Sequence, residues 1–296
     1  MAFKSFDEII DKLENSNYPM VVADPSGEEV IEALCEARSR GIIEPILVGM
    51  KEKILPLIKG TNIEDAELVE VSSQDEACSR SVELVRNGKG KILMKGKVST
   101  PSILKAVLDP EKGIRKGKLL SHIAVMEIQS YHKLTIHTDA GMNIYPDVSK
   151  KAEIIKNGVW FSKKLGITKP IIAVLAAIET INPDMPETLD AAMLVKMGER
   201  GEFGEVTIDG PVAFDLAISK EAAKRKGIET AIAGETDIFI YPNISSGNIT
   251  VKSLIYLANA RVGGIVVGAK VPIVLLSRAD TPKEKLASIA LGALVA

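Results

Sequence analysis

Short apolar runs that alternate with helical patterns most strongly constrain the fold of this 296-residue chain. Such runs occupy residues 19–24 (PMVVAD), 45–49 (PILVG), 92–95 (ILMK) and 170–176 (PIIAVLA), and amphipathic stretches separate them. Continuous apolar strands are typical of parallel sheets that are covered on both faces. A strand, helix, strand succession also implies a right-handed crossover between parallel strands. The sequence therefore predicts an α/β fold.

The length and a change of composition predict two domains. A chain of this length exceeds the usual size of one domain, and the segment DAGMNIYPD at 139–147 has the composition of a loop or hinge. Just before it, residues 121–138 alternate apolar and polar side chains and predict an antiparallel hairpin. We predict a discontinuous first α/β domain of residues 1–125 and 267–296, and a second α/β domain of residues 126–266.

Composition narrows the class of partner. The formal net charge is −2, and basic and acidic residues are interspersed, so we expect no nucleic-acid partner. No apolar stretch approaches the roughly 18 residues of a membrane span, and the first helical pattern carries acids where a signal peptide would be basic and then apolar. The two cysteines, Cys35 and Cys78, lie far apart and fit a reducing compartment. We expect a cytoplasmic protein with no membrane partner.

Polar clusters stand at two places where an apolar strand gives way to a helix, residues 243–248 and 277–284. Open α/β sheets bind ligands at the carboxyl ends of their strands, and helix amino ends favour anions. The guanidinium of Arg278 follows a buried strand, where it needs an anion to offset its desolvation. Phosphate is a natural partner because arginine binds it bidentately. These junctions predict a site for a phosphorylated ligand.

A third junction, KGKVST at 95–100, follows the apolar strand 92–95. Ser99 or Thr100 is expected to cap a helix that has Pro101 at its first position. Three lysines are expected to surround that helix end: Lys95, Lys97 and Lys105. The spacing fails as a P-loop because Lys91 stands where the first glycine belongs. The sequence leaves two interpretations of this segment: an anion-binding junction and an ordinary surface cluster of lysines.

Several of these segments together resemble one enzyme family. They are PNISSGN at 242–248, VPIVLLSRAD at 271–280, DAGMNIYPD at 139–147, DGPVAFD at 209–215 and the pair Ser99-Thr100. With them the chain resembles the phosphate acetyl/butyryltransferase family over essentially its whole length, and its butyryl branch more than its acetyl branch. Any one of these matches is weak by itself.

The resemblance implies acyl transfer between coenzyme A and inorganic phosphate, with no further cofactor. It implies two α/β domains of an isopropylmalate-dehydrogenase-like fold with a cleft between them, and a homodimer or higher homo-oligomer. Ser277 and Arg278 match the family's active-site pair. Glu284 stands where the acetyltransferases have an aspartate, and Lys105 where they have an arginine. Ala140 stands where they have a cysteine, and a further arginine has no clear equivalent near 125–130.

The chemistry of thioester cleavage suits these residue types. Phosphate attack places negative charge on the carbonyl oxygen, for which Ser277 and Arg278 provide donors. The departing thiolate, with a thiol pKa near 8.5, needs a proton that Glu284 or Asp280 could exchange. Phosphate is itself a nucleophile, so we predict transfer in a ternary complex without an acyl-serine. The predicted substrate- and phosphate-binding residues are Asn143, Asn243, Gly247, Asn248, Ser99, Thr100 and Lys105.

Alternatives remain at this stage. Glu284 could instead complete a capping box with Thr281, since Thr281-Pro-Lys-Glu284 has the required spacing. At the level of function, the rivals are a phosphate acetyltransferase that acts on acetyl-CoA, a metal- and NAD-dependent dehydrogenase of related fold, and a non-catalytic binding protein for coenzyme A or phosphate. The sequence has no convincing cluster of metal ligands, because His122, His132 and His137 fall in the predicted hairpin, so we expect no metal site.

Overall fold

The computed structural model describes residues 2–116, 119–275 and 280–296. The chain divides into two compact units. The central unit comprises Leu119–Arg261 together with Met1–Ser5, and the terminal unit comprises Phe6–Lys118 and Val262–Ala296. The predicted domain boundaries, 125/126 and 266/267, fall a few residues after these divisions and stay a prediction.

The first part of the chain alternates helices and strands from the start. Its elements are α1 Phe6–Leu13, β1 Tyr18–Ala23, α2 Glu28–Ser39, β2 Ile43–Gly49, α3 Lys51–Ile58, β3 Glu67–Glu70, α4 Gln74–Arg86, β4 Ile92–Lys95 and α5 Thr100–Leu108. The remaining elements are β5 Ser121–Glu127, β6 Thr135–Thr138, α6 Val148–Lys164, β7 Ile171–Leu175, α7 Pro186–Glu199, β8 Thr207–Val212, α8 Phe214–Ile218, α9 Lys220–Lys226, β9 Ile238–Ile240, α10 Ile244–Ala258, β10 Arg261–Val267, β11 Ile273–Leu275 and α11 Pro282–Val295. None of the helices in these described ranges is long and apolar enough to cross a membrane.

Most strand pairs within each unit are parallel, which confirms the predicted α/β class. In the terminal unit the strand order is β3-β2-β1-β4-β11-β10, with only the last pair antiparallel. In the central unit the order is β5-β6-β9-β7-β8, with β5 and β6 antiparallel as the predicted hairpin requires. The central strands of each sheet are buried, as their continuous apolar runs predict.

Three elements were missed by the sequence patterns. Helix α3 contains Pro56, an unusual residue inside a helix. Strand β8 (TIDGPV) is polar and partly exposed because it lies at the edge of its sheet order, and short α8 follows it. Helix α2 begins without a side-chain cap, because its cap residue is Gly27.

Helix α11 anchors the carboxyl end of the chain in the terminal unit. Nearly all its residues from Lys285 onwards are buried, and small side chains let the strands approach closely. A Cβ atom at Gly292 would lie 2.9 Å from Cγ2 of Val274, and one at Gly263 would lie 2.9 Å from Cδ1 of Leu291. A helix that is apolar on all sides is typical of a buried core element. The segment that carries Asp280 and Glu284 therefore leads into a rigid element.

The core of the central unit contains a short polar chain around His137. Its imidazole is fully buried, bonds the Tyr241 hydroxyl through Nδ1 at 2.8 Å and the Thr135 hydroxyl through Nε2 at 3.0 Å, and stacks on Phe239 at 4.7 Å between ring centroids. Burial disfavours the charged imidazolium and lowers the pKa of His137 to about 3. The histidine is a packed strand residue, which is what its position in the hairpin predicts.

This burial predicts a loss of stability in acid. The unfolded chain binds a proton at an ordinary histidine pKa near 6.5, whereas the folded chain does so only near 3. The contribution of His137 to the free energy of unfolding should therefore be complete above pH 6.5. It should fall by up to about 1.4 kcal/mol per pH unit as the pH drops through that window. Proton–nitrogen NMR should show the His137 imidazole neutral at pH 5, and urea unfolding at a series of pH values should show the loss of stability. A native His137 that titrates near pH 6.5 would contradict this assignment.

Candidate active site

Two neighbouring parallel strands of the central unit end at the same edge. In β6 and β9, Thr138 is in register with Ile240, so the loops that follow both strands begin side by side. The N–H of Tyr241 donates to the carbonyl of Thr138 at 3.1 Å and joins the two strand ends. The carboxyl edge of a parallel sheet is where α/β proteins bind ligands. The predicted residues Asn143, Asn243, Gly247 and Asn248 all lie on these two loops or on the helix that follows.

A buried carboxylate organises the first loop. Asp139 is 2% exposed. Its Oδ1 accepts from the backbone N–H groups of Gly141 and Met142, both at 2.8 Å, and its Oδ2 accepts from the N–H of His122 at 3.0 Å and from Nδ2 of Asn143 at 2.6 Å. Carboxylates that accept several N–H bonds hold short loops in one conformation. Asn143 also donates to the carbonyl of Leu120 at 2.9 Å, so this predicted binding residue is a strut of the loop.

The second loop is fixed by the cap of α10. Oδ1 of Asn243 accepts from the N–H of Ser246 at 3.0 Å, and the N–H of Ile244 donates to the carbonyl of Ile144 at 3.0 Å. The N–H of Gly247 donates to the Asn243 carbonyl at 3.2 Å. The N–H groups of Ile244, Ser246 and Gly247 therefore all donate to acceptors within the protein. An anion at this helix end would meet the positive end of the helix dipole and nearby side chains rather than a row of free N–H groups.

The two loops touch through α10. Nδ2 of Asn248 donates to the carbonyl of Ala140 at 3.3 Å. A Cβ atom at Gly247 would lie 2.8 Å from the Asp139 carbonyl oxygen and 3.0 Å from Cα of Ala140. Only glycine permits this close backbone approach. Gly247 therefore serves packing between the loops, and the four predicted residues of this unit form one cluster.

The terminal unit presents a second pair of parallel strand ends. In β4 and β11, Lys95 is in register with Leu275, the last described residue of β11. The predicted catalytic residues Ser277 and Arg278 lie outside the described residues. The described chain resumes at Asp280, immediately before the cap of α11.

The junction after β4 is built as a helix cap. Oγ of Ser99 accepts from the N–H of Ser102 at 3.1 Å, so Ser99, not Thr100, caps α5. Nζ of the buried Lys95 donates to the carbonyls of Gly96 and Val98, at 3.0 and 3.3 Å. One expectation was wrong, because Lys105 lies in the last turn of α5 and not around its amino end.

Glu284 and Asp280 flank the cap of α11. Thr281 is the cap residue, and Oε2 of Glu284 accepts from its N–H at 2.6 Å, which completes the predicted capping box. One carboxylate oxygen of Glu284 is thus used for structure. Nζ of Lys285, which is 3% exposed, donates to the main-chain carbonyl of Asp280. This buried ammonium fixes the point at which the chain enters α11.

Sequence reasoning missed three structural residues of these edges. Asp139 could have been found from the spacing DAGMN, which offers N–H donors two and three residues after an aspartate. Asp24 follows β1, is buried, and accepts from Nε2 of Gln74 at 2.6 Å. Its other oxygen, Oδ1, has no hydrogen-bond partner within the described ranges. Neither Asp24 nor the buried Lys285 has a local sequence signal, since their roles depend on elements that are distant or buried.

Comparison with known proteins identifies the family. A family model described as phosphate acetyl/butaryl transferase matches residues 56–293, which include every residue predicted for the site. The phosphate butyryltransferase of Clostridium acetobutylicum is 44% identical over 296 residues, 99% of this chain and 98% of that protein. The chain belongs to the phosphate acetyl/butyryl transferase family. It is an enzyme of an acyltransferase family, and the resemblance in its motifs is confirmed.

Other members of the family and a neighbouring family are also similar. The phosphate acetyltransferase of Thermotoga maritima is 38% identical over 292 residues, 98% of this chain and 99% of that protein. A branched-chain phosphotransacylase from Enterococcus faecalis matches with a TM-score of 0.82 and 31% identity over 94% of this chain and 98% of that structure. A putative 4-hydroxythreonine-4-phosphate dehydrogenase from Salmonella typhimurium matches with a TM-score of 0.59 and 14% identity over 95% of this chain and 99% of that structure. This last match supports the dehydrogenase-like fold alone.

Two helical glycines of the central unit provide a matched test of the loop contact. Gly158→Ala in α6 should stabilise the protein by about 0.5–1 kcal/mol, because its Cβ would meet Ile238 only at an ordinary 3.4 Å. Gly247→Ala should destabilise it by about 1–3 kcal/mol, because its Cβ would force the Asp139–Ala140 backbone away. Urea unfolding of both variants measures the difference. Equal stability of the two would show that the contact between the loops is loose.

Proposed function

We propose that this protein transfers a short acyl group, butyryl or similar, between coenzyme A and inorganic phosphate. The observation that carries the proposal is the 44% identity, over nearly the full length of both chains, to a protein named phosphate butyryltransferase. The polar clusters at the carboxyl ends of β6, β9 and β4 support it, since α/β proteins bind their ligands there. Both substrates are soluble metabolites of the cell interior, so the proposal includes a cytoplasmic enzyme. The resemblance to the family is the basis on which the proposal also includes a homodimer or higher homo-oligomer.

The reaction we propose is a direct displacement. A phosphate oxygen attacks the thioester carbonyl carbon, and the carbonyl oxygen becomes an oxyanion. The carbon–sulfur bond then breaks, which gives the acyl phosphate and a coenzyme A thiolate, and the proton that the attacking hydrogen phosphate loses passes to that thiolate. Arg278 and Ser277 donate hydrogen bonds to the developing negative charge. Phosphate carries its own nucleophilic oxygen, so no acyl-serine is needed.

The thiolate proton is assigned to one of two carboxyl groups. Glu284 uses one oxygen in the capping box, which supports a structural role but leaves Oε1 for chemistry. In the sequence, Asp280 follows Arg278 by two residues, and the main-chain carbonyl of Asp280 accepts a hydrogen bond from Nζ of Lys285. We propose that Glu284 exchanges the proton, with Asp280 as the alternative.

The remaining predicted residues are proposed to bind substrate. Asn143 lies on the first loop and Asn248 in the first turns of α10, which Asp139 and Gly247 hold together, so a ligand at this edge would meet amide groups of fixed position. Ser99 and Thr100 begin α5, where the positive end of the helix dipole favours a phosphate group. Lys105 lies more than a turn further along α5 and is proposed as a long-range positive charge rather than a direct ligand.

A second candidate function is phosphate acetyltransfer. The 38% identity to the Thermotoga maritima phosphate acetyltransferase over 292 residues favours the same reaction with a shorter acyl chain. The dehydrogenase alternative is supported only by a similar fold at 14% identity. A similarity of fold alone says nothing about activity.

Acyl-chain length separates the two candidates. Butyryl has two more methylenes than acetyl, and burying each contributes about 0.8 kcal/mol. In an enzyme whose acyl pocket is deep enough, this could raise kcat/KM by up to about fifteenfold. We therefore expect kcat/KM for butyryl-CoA to exceed that for acetyl-CoA by about tenfold. Free thiol is measured from both thioesters with and without phosphate. A preference for acetyl-CoA would favour the second candidate, and the absence of phosphate-dependent thiol release from either would overturn the proposed function.

Two substitutions separate the cap of α11 from the chemistry. Glu284→Gln should leave stability nearly unchanged, because glutamine also completes a capping box, but should lower kcat at least about tenfold because an amide does not exchange the proton. Thr281→Ala is the matched control. It should cost about 1 kcal/mol of stability and retain most activity. Steady-state rates and urea unfolding of both variants distinguish a structural role of Glu284 from a role in proton exchange. If the Glu284→Gln enzyme keeps its activity, Glu284 serves only the capping box, and the role of proton exchange passes to Asp280.

A further inference from the structure

Strands β7 and β9 of the central unit are parallel neighbours, and the loops that follow them lead to opposite sides of the sheet. Ala173 of β7 and Tyr241, just after β9, belong to the core that α8 and α9 form, and Tyr241 also interacts with Thr250 of α10. Helix α7 packs on the other side, since its Gly198 lies against Ile208, whose register partner in β7 directly precedes Ala173. Open α/β sheets bind ligands in the crevice between loops that diverge in this way.

The crevice on the opposite side of β9, toward β6, is held shut. The N–H of Ile244 donates to the carbonyl of Ile144 at 3.0 Å, and Gly247 lies against the backbone of Asp139. Within the parts of the chain that the structure describes, no hydrogen bond joins the loop after β7, residues 176–185, to the loop after β9. Of the two crevices beside β9, the one toward β7 is therefore the one that a ligand can enter without breaking hydrogen bonds between the loops.

The loop after β7 has a constrained backbone and an apolar side chain at its tip. The N–H of Ala176 donates to the carbonyl of Val212 at 3.0 Å, which ties the start of the loop to β8. The hydroxyl of the buried Thr188 accepts from the N–H of Asn182 at 2.9 Å, which ties its end to α7. Between these two points Ile181 is 59% exposed. The loop therefore presents an aliphatic side chain from a fixed position.

The place of Ile181 in the fold distinguishes it from other exposed apolar residues. Single exposed apolar side chains are common on protein surfaces and need no function. The other large ones in the described part of the central unit lie in helices, except Ile144 and Tyr145, which follow β6. Ile181 alone among them stands in one of the two loops that border the crevice between β7 and β9.

The loop after β9 provides a polar group on the other side of this crevice. Oδ1 of Asn243 accepts from the N–H of Ser246 at 3.0 Å, and its amide N–H groups have no partner among the described residues. Ligand sites combine an apolar lining with a few placed polar groups. The acyl-CoA of the proposed function has the same combination, a polar thioester joined to an apolar chain. A charged nucleotide would gain little from an aliphatic side chain.

We propose that Ile181 contacts the acyl chain of the substrate and so contributes to the selection of chain length. The inference rests on the acyl transfer proposed above and adds to it a residue outside the predicted site. An acetyl group has one carbon beyond its carbonyl carbon, whereas a butyryl group has three. The contact with Ile181 is made by the longer chain, so its loss changes the preference between the two thioesters.

The first experiment compares kcat/KM for butyryl-CoA and acetyl-CoA in the phosphate-dependent release of thiol. Ile181→Ala should lower kcat/KM for butyryl-CoA about fivefold and change the value for acetyl-CoA less than about twofold. Ile218→Ala, the same substitution at an exposed isoleucine of α8, should leave both values unchanged. Both side chains are exposed enough that their removal should not disturb folding, which urea unfolding checks.

A conservative variant separates the contact from a structural role. Ile181→Leu keeps the volume and the apolar character, so it should keep the ratio of the two kcat/KM values within about twofold of the wild type. An equal loss for both thioesters in Ile181→Ala, or an unchanged ratio, would overturn the contact and leave the acyl transfer of the wild type standing. A wild-type chain that releases no thiol with phosphate from either thioester would overturn the proposed function and this contact with it.

Discussion

The buried carboxylate of Asp139 holds together the part of the structure from which the site of the central unit is built. One carboxylate in a nearly water-free position accepts hydrogen bonds from three backbone N–H groups and one side-chain amide. A buried charge is tolerated only when such donors satisfy it, and the donors are fixed in turn. Because Gly247 lets α10 contact the Asp139 carbonyl, the same residue sets the position of the second loop.

In the terminal unit, the ends of the strands are held by different interactions. Its strand ends are fixed by helix caps, Ser99 at α5 and the reciprocal Thr281–Glu284 pair at α11, and by two buried ammonium groups that bond main-chain carbonyls. Lysine suits this role because its long apolar stem packs in the core while its ammonium group reaches the carbonyl oxygens. Each unit therefore presents its polar residues from an edge whose backbone is already constrained.

The sequence predicted what depends on local patterns. Continuous apolar runs predicted the buried parallel strands, alternation predicted the β5–β6 hairpin, and the spacing Thr281-x-x-Glu284 predicted the capping box. It could not predict what depends on distant contacts. The edge strand β8 is polar because one side faces solvent, the cap position of α2 is a glycine without a side chain, and Lys105 falls in the last turn of α5 because that helix ends at Leu108. For the site, the motifs pointed to residues that lie together in the central unit, but they did not predict the structural contacts of Asn143 and Gly247.

Direct attack by phosphate leaves Ser277 the role of stabilising the oxyanion, whereas an acyl-enzyme would make Ser277 the nucleophile. Isotope exchange distinguishes these two mechanisms. The protein is incubated with butyryl-CoA and labelled coenzyme A in buffer freed of phosphate, and the label in butyryl-CoA is followed with time. A direct displacement predicts no exchange until phosphate is added, after which the reversible reaction should carry label into the thioester. Exchange without phosphate, at a rate comparable to turnover, would show a covalent acyl-enzyme and exclude direct displacement.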